Sequence, residues 1–435
     1  MTAQAVQPLT EAIPASRRGM RAIVVDRAFP ALHHRNYRLF FSGQFISLIG
    51  TWTQQVAQGW LVWTISHSAL MLGLVTGAQS LPILLFGLWG GAAADRMPKR
   101  RLLLATQVAA MALALALAAL TFTGIVGPAH PTSSLVVVGL IAFGLGTVNA
   151  FDAPARQAFV IELVGKKHLL NAISLNSSIF NGARIVGPAL AGLMIRFLGV
   201  PVCFAINGLS FLPVLVGLYL IRIHPQAVSA RSRGSMVGNV KESLAYIRHE
   251  PLIRDTYLTV LTISVLVFSY AAMLPLFADQ VLHSGAAGYS VLSVSGGAGA
   301  LVAALSLAVV RERRRSRGTW IVLGSIVMSL AIAFFALSPV LLVSALMLAL
   351  AGFSGIAFLA RANTAIQTAV PDALRGRVMS VYILLLMGLA PIGAVQLGAV
   401  AHVFGAQRAL AGESVLAAVI LVALHTRRRA VRDHA

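Results

Sequence analysis

One carboxylate, Asp95, stands at the mouth of an apolar run, and Arg96, Lys99, Arg100 and Arg101 follow it within six positions. An acid in that place can pair with the nearby arginines and face the positive N-terminus of a neighbouring helix. Such contacts exist in one conformation and break in another, so they bias a gate. The basic residues can equally well do no more than fix membrane topology. Asp95 opposes that topology rather than serving it, which favours the gating reading for the carboxylate.

A second set of polar residues forms a stripe. Gln44, Ser47, Thr51, Gln54 and Gln58 recur at three- and four-residue steps and therefore share one helical face. Uncompensated amides do not face lipid. They glue helices together or line a wet cavity, and the cavity is the favoured reading. Trp60 and Trp63, farther along, are expected at the membrane–water interface. Thr259, Thr262 and Ser269 make a weaker stripe later in the chain, for which packing and substrate contact are equally good readings.

Two charges need partners. Arg184 falls inside an apolar span, where an arginine costs roughly 2.5–3.5 kcal/mol to insert, and no Asp or Glu occupies the middle of any span. It either bonds backbone carbonyls freed around Pro188 or meets an anionic group of a substrate, the structural reading being slightly favoured. Asp152 is the best candidate to titrate, although pairing with Arg96 or Arg156 is the simpler reading.

Several chemistries find no support. There is no G-x-x-x-x-G-K-[ST] for ATP hydrolysis, and Gly296 to Ala300 lies in a span and reads as helix packing. His33 and His34 lack partners at metal spacing. Cys203 is the single cysteine, so neither a disulfide framework nor a multi-cysteine metal site is available. No Ser-His-Asp or paired-carboxylate arrangement is discernible. No catalytic residue, metal or cofactor is expected, and the chain reads as no enzyme.

The elements that position these residues follow from composition. Of 435 residues 58% are hydrophobic and 11% charged, under half the charge of a soluble domain at about 25%. The surplus apolar surface needs lipid. A net charge of +21 would ordinarily raise nucleic acid as a partner, but the basic residues sit in short clusters between apolar runs. The N-terminal stretch has no uninterrupted apolar core, so a cleaved signal peptide is not expected.

With roughly 20 apolar residues per span, twelve are predicted: 39–65, 70–94, 101–125, 135–157, 169–195, 200–221, 256–278, 289–310, 319–337, 340–360, 378–404 and 409–426. Tight joins at Ser66–Ala69 and Ser338–Pro339 cut long apolar runs in two. With the N-terminus inside, 31 of the 34 basic residues fall in inner segments, as cytoplasmic enrichment of Lys and Arg requires. Gly182, Gly187, Gly192 and Gly199 recur 206 residues later as Gly388, Gly393, Gly398 and Gly405, and Gly91, Gly146 and Ser174 recur as Gly297, Gly352 and Ser380. Pairing the fifth span with the eleventh requires two parallel six-span repeats.

The organisation is then a cytoplasmic tail (1–38), a six-helix bundle (39–221), a cytoplasmic linker (222–255), a second six-helix bundle (256–426) and a cytoplasmic tail (427–435). Within the linker, Met236, Val240, Leu244 and Ile247 share one face, which predicts an amphipathic helix at the inner membrane surface. Two parallel halves joined by such a linker already suggest a rocking transporter.

The motifs add a family. Gly91-x-x-Ala94-Asp95-Arg96-x-x-Lys99-Arg100 resembles the signature loop between helices 2 and 3 of the major facilitator superfamily, departing at Ala93, where leucine is usual, and at Pro98, where the second glycine is usual. Phe151 to Gly192 looks like the helix 4–helix 5 region of its enterobactin-exporter-like, macrolide and multidrug efflux branch. Gly187-Pro188-x-x-Ala191-Gly192 resembles the antiporter motif of helix 5. "VPDALRGRVMSVYILLLMGLAPIGA" fits the matching segment of the second half, so the resemblance covers nearly the whole chain.

It implies an all-α membrane protein of the bacterial inner membrane, with twelve transmembrane helices in two parallel six-helix pseudo-repeats and both termini cytoplasmic. It also implies a secondary exporter of a small amphiphilic compound, working by alternating access and proton antiport, with a central cavity lined by helices 1, 4, 7 and 10. Expected substrate-path residues are Gln44, Ser47, Thr51, Gln54, Gln58, Thr262 and Arg184. Expected gating residues are Gly91, Asp95, Arg96, Lys99, Arg100, Asp152, Arg156, Gly187 and Pro188. The partners are a small-molecule substrate, protons and the bilayer, but no nucleic acid, and a monomer is expected. A lipid or lysophospholipid translocase of the same fold is the alternative. A non-transporting sensor or scaffold would have no use for the polar stripe.

Overall fold

In the computed structural model, residues 29–222, 245–309 and 317–433 are described. A short 3-10 turn, Pro30–His33, leads into α1 (Arg35–Ser66), α2 (Ala69–Arg96) and α3 (Lys99–Phe122). The next helical run, Pro131–Leu198, is interrupted at Gly165, whose φ of 67° is open to glycine at little cost. It is therefore two spans, α4 (Pro131–Gly165) and α5 (Lys167–Leu198), followed by α6 (Val200–Leu220) and α7 (Pro251–Val281). Then come α8 (Gly285–Val309), α9 (Arg317–Leu337) and α10 (Leu341–Ala369). The segments Asp372–Ile383, Leu384–Gly388 and Ala390–Phe404 together make α11, and α12 is Ala406–Asp433.

Helices are the form this composition dictates, because each backbone N–H and C=O in hydrocarbon must find its partner within the segment. Among the described residues eleven helices, α2 to α12, are long and apolar enough to cross a membrane. The remaining one, α1, has 32 residues but carries the polar stripe. Both tight joins fall where expected: His67 turns the chain between α1 and α2 with a φ of 44°, and α9 ends four residues before α10 begins.

Many helices run longer than their apolar cores. The 29 residues of α10 span roughly 44 Å against ~30 Å of hydrocarbon, an excess taken up by tilt or by turns beyond the apolar layer. Of the linker, residues 223–244 lie outside the described residues, including Met236, Val240 and Leu244. Residues 245–249 are helical, and Ile247 is buried in the main hydrophobic core.

Glycines let the helices approach closely, and they do so in matched places. A Cβ on Gly187 (α5) would lie 2.5 Å from Trp52 Cβ and 2.8 Å from the Ile49 carbonyl of α1. On Gly393 (α11) it would lie 2.5 Å from the Val265 carbonyl of α7. Gly192 packs α5 on Ser290 of α8, and Gly398 packs α11 on Ala69 and Gly73 of α2. Gly146 approaches Gln79 in α2, while Gly352 approaches Gly296 in α8. Gly199 and Gly405 close α5 and α11 with the same φ of 85°.

The first six helices meet the last six along α2–α11 and α5–α8. These crossings lie toward the end of the bundle remote from the chain termini. There Trp63 Nε1 donates to Asp279 Oδ2 at 2.9 Å, and Ser290 Oγ donates to the Pro188 carbonyl at 2.6 Å. At the other end Leu85, Leu88 and Trp89 of α2 and Ile383 and Met387 of α11 are exposed. Trp63, expected at the membrane interface, is instead 0% exposed, because its indole N–H has a carboxylate partner inside the bundle.

Candidate functional site

The amide stripe of α1 lies against two neighbouring chambers that share part of their walls. The larger, of about 380 Å³, is within the ~300–1,000 Å³ range of small-molecule sites. Gln44, Ser47, Thr51, Gln54 and Gln58 all contribute to its wall. Trp52, Gln55, Gln58, Thr76 and Gln79 also line the second chamber, which lies between the two sets of six helices and reaches Tyr270, Tyr289 and Arg184. Together the two chambers border α1 from Gln44 to Val62.

Glue and cavity wall prove to be compatible. Gln54 accepts from Asn207 Nδ2 of α6 at 2.6 Å, and Gln58 Nε2 donates to Gln79 Oε1 of α2 at 3.3 Å. Both glutamines still border the chamber. Thr51 donates its hydroxyl to the Ser47 carbonyl within α1. The walls of the second chamber come from α1, α2, α5, α7 and α8, and α10, expected to contribute, supplies no residue to either chamber. Thr262, expected on the substrate path, lines neither chamber; its hydroxyl donates to the Leu258 carbonyl of its own helix. Asn207 and Gln79 were not singled out in the sequence, although Thr76, Gln79 and Ser80 recur on one face of α2 and Ser210 follows Asn207 by one turn, a shorter signal than the stripe of α1.

Asp152 closes the larger chamber toward the terminal end. It is 2% exposed and accepts from Thr106 Oγ1 at 2.9 Å and Gln107 Nε2 at 2.8 Å. One turn later Arg156 completes an ion pair with its other oxygen. The Gln44 amide oxygen, turned to satisfy both partners, accepts from Arg156 Nη1 at 2.7 Å. Of the two partners open to Asp152, the structure therefore selects Arg156 and not Arg96. A buried carboxylate with this many donors is well compensated.

Arg184 has a different environment. It lines the second chamber beside Tyr270, with its guanidinium 5.9 Å from the Trp52 ring centroid. Among the described residues it makes no hydrogen bond and no ion pair, so it does not bond the carbonyls near Pro188. The Pro188 carbonyl goes to Ser290, and the Gly187 carbonyl to Thr53 Oγ1 at 3.1 Å.

The signature loop separates into distinct parts. Asp95 and Arg96 are exposed, and neither is hydrogen-bonded or ion-paired among the described residues. Lys99 Nζ pairs with Glu162 at 2.9 Å, tying α3 to the end of α4. Arg100 donates to the Leu218 and Tyr219 carbonyls at 2.6 and 2.8 Å, capping the end of α6. It thereby ties α3 to the last carbonyls of α6, which lack intrahelical partners. A Cβ on Gly91 would meet nothing within 4 Å, whereas one on Gly90 would run into the Ala150 carbonyl of α4. Close packing belongs to the neighbour of the motif glycine.

The family follows from comparison. Residues 27–434 match the model described as transmembrane secretion effector, and the chain belongs to that family of the major facilitator superfamily. It is a multi-pass transporter of the cytoplasmic membrane and not an enzyme. It is similar to the staphyloferrin A transporter of Staphylococcus aureus, with 26% identity over 85% of this chain and 91% of that one. The multidrug efflux pump Tap of Mycolicibacterium fortuitum is 27% identical over 80% of this chain and 85% of its own length. The enterobactin exporter EntS of Citrobacter koseri is 24% identical over 79% of this chain and 80% of its own. In fold the chain resembles the nucleoside transporter NupG, with a TM-score of 0.69 at 13% identity over 90% of this chain and all of that one.

Proposed function

We propose that this protein exports a small amphiphilic compound by alternating access. The observation that carries the reading is the chamber bordered by the polar stripe of α1, beside two sets of helices that are tied, among the described residues, by hydrogen bonds toward the end remote from the termini. In this reading twelve helices cross the membrane, α1 included, because its amides face the chamber instead of lipid. The matched glycine contacts of α5 with α1 and α11 with α7 support two parallel six-helix repeats, 39–221 and 256–426, joined by the linker 222–255. Charge bias places both termini in the cytoplasm, so the chamber faces inward here. Relatives that carry siderophores and drugs support outward movement of such compounds.

Asp95 is the gate residue of this scheme. It is free while the cytoplasmic side is open and gains partners when that side closes. Gly187 and Pro188 keep α5 close against α1 within the first half, and Pro188 hands its carbonyl to Ser290 of the second, where the halves pivot. The resemblance implies proton antiport, yet Asp152 is bound by Arg156, which suits a structural ion pair better than a proton carrier.

Single cysteines at Thr51 and Gln58, in a Cys203→Ser background, test the path. Both should react with water-soluble thiol reagents in membrane vesicles, and substrate should slow the reaction. If both stay inert with either side of the vesicle exposed to reagent, the chamber is not on the transport path.

A further inference from the structure

The chamber between the two sets of helices carries one formal charge without compensation. Arg156 and Asp152 cancel at its inner neighbour, and among the described residues no Asp or Glu lines the chamber that holds Arg184. Arg184 is held at the meeting of the two sets, for Gly297 of α8 passes its backbone carbonyl closely enough that a Cβ there would lie 3.1 Å away. Around the guanidinium stand the Trp52 ring, itself braced edge-on by Phe180 at 5.7 Å, and the phenols of Tyr270 and Tyr289. Neither phenol hydroxyl is hydrogen-bonded among the described residues, and Tyr289 reaches helix α1 only because Gly59 has no side chain.

We propose that this chamber is an oxyanion subsite, and that the exported compound carries a carboxylate beside an apolar or aromatic body. The inference rests on the export reading and narrows its substrate class. An arginine fork matches the two oxygens of a carboxylate, and in a low-dielectric chamber an uncompensated cation attracts an anion strongly. Trp52 and the two tyrosines supply flat apolar walls for the body and two spare hydroxyl donors. The same positive charge disfavours cationic compounds. A soluble carboxylate and the headgroup of an anionic lipid share this chemistry. The chamber favours the soluble compound, since the neighbouring chamber along α1 presents a polar side chain at every turn from Gln44 to Gln58.

The test uses the purified full-length protein in detergent and two dyes, carboxyfluorescein and ethidium, with binding read by fluorescence anisotropy. Native protein should bind carboxyfluorescein more tightly than ethidium. Arg184→Gln should weaken the anionic dye about tenfold or more, as loss of charge-assisted hydrogen bonds predicts, and should not weaken ethidium. Arg184→Lys, which keeps the charge without the fork, should fall between. Tyr289→Phe removes a single hydroxyl and serves should the arginine variants fail to fold; it should weaken carboxyfluorescein and leave ethidium unchanged. Competition assigns the source. Displacement of the dye by benzoate supports a soluble carboxylate, and displacement by lysophosphatidylglycerol alone overturns that class. Native affinity for carboxyfluorescein in Arg184→Gln, or a native preference for ethidium, overturns the subsite. Dye efflux from proteoliposomes separates the two readings. Ethidium efflux that ignores Arg184 leaves export standing without the subsite. Arg184-dependent binding with no efflux of either dye leaves the subsite without export.

Discussion

Trp63 of α1 donates its indole N–H to the Asp279 carboxylate of α7 at 2.9 Å, joining the two sets of helices at the end where they meet. A hydrogen bond to a charged acceptor contributes about 1.5–3 kcal/mol, enough to shift a two-state equilibrium roughly tenfold or more. Trp63→Phe keeps the packing and removes the donor. It should favour the conformation open at that end, seen as faster labelling of a cysteine at Tyr289 in a Cys203→Ser background. Unchanged labelling would show that the bond does not latch the outer side.

Asp95 is exposed and unpartnered among the described residues, so Asp95→Asn should change folding stability by no more than about 0.5 kcal/mol. Transport should nevertheless slow, because the partners Asp95 gains on closure are lost. Efflux rates from proteoliposomes alongside thermal unfolding check this pair of outcomes. Native rates from the variant would remove Asp95 from the gate.

The matched glycines predict matched damage. Gly187→Ala and Gly393→Ala each force a methyl group into a backbone–backbone crossing and should destabilise by about 1–3 kcal/mol. Gly91→Ala, with nothing within 4 Å, should be near neutral. Unfolding midpoints of the three variants in one detergent make the comparison. A destabilised Gly91→Ala beside a native-like Gly187→Ala would contradict the packing described above.

Asp152→Asn strands Arg156, and breaking a buried pair from one side costs about 3–5 kcal/mol, less here because Arg156 is partly exposed. Adding Arg156→Gln should recover part of the loss. If an imposed pH gradient drives substrate accumulation, it should still do so in Asp152→Asn. Loss of that drive with exchange intact would make Asp152 the proton carrier.

The sequence by itself determined the membrane class, the span positions and both tight joins, because apolar length and charge clustering are local properties set by the hydrocarbon thickness. It also exposed the α1 stripe, since five polar residues at helical spacing leave a period that any reader of one strand can count. What surrounds a residue is a different matter. That Asp152 accepts from Thr106 and Gln107 of α3, that Gln54 meets Asn207 153 residues away, and that Trp63 is buried against Asp279 were decided by tertiary packing alone. Helix ends ran past the predicted limits for a related reason: hydropathy marks where lipid stops, whereas backbone hydrogen bonding carries the helix on into water. Arg184 shows the division most clearly. Its cost is legible in the chain, but only the arrangement of α1, α5, α7 and α8 around it leaves the guanidinium facing a chamber without an anion.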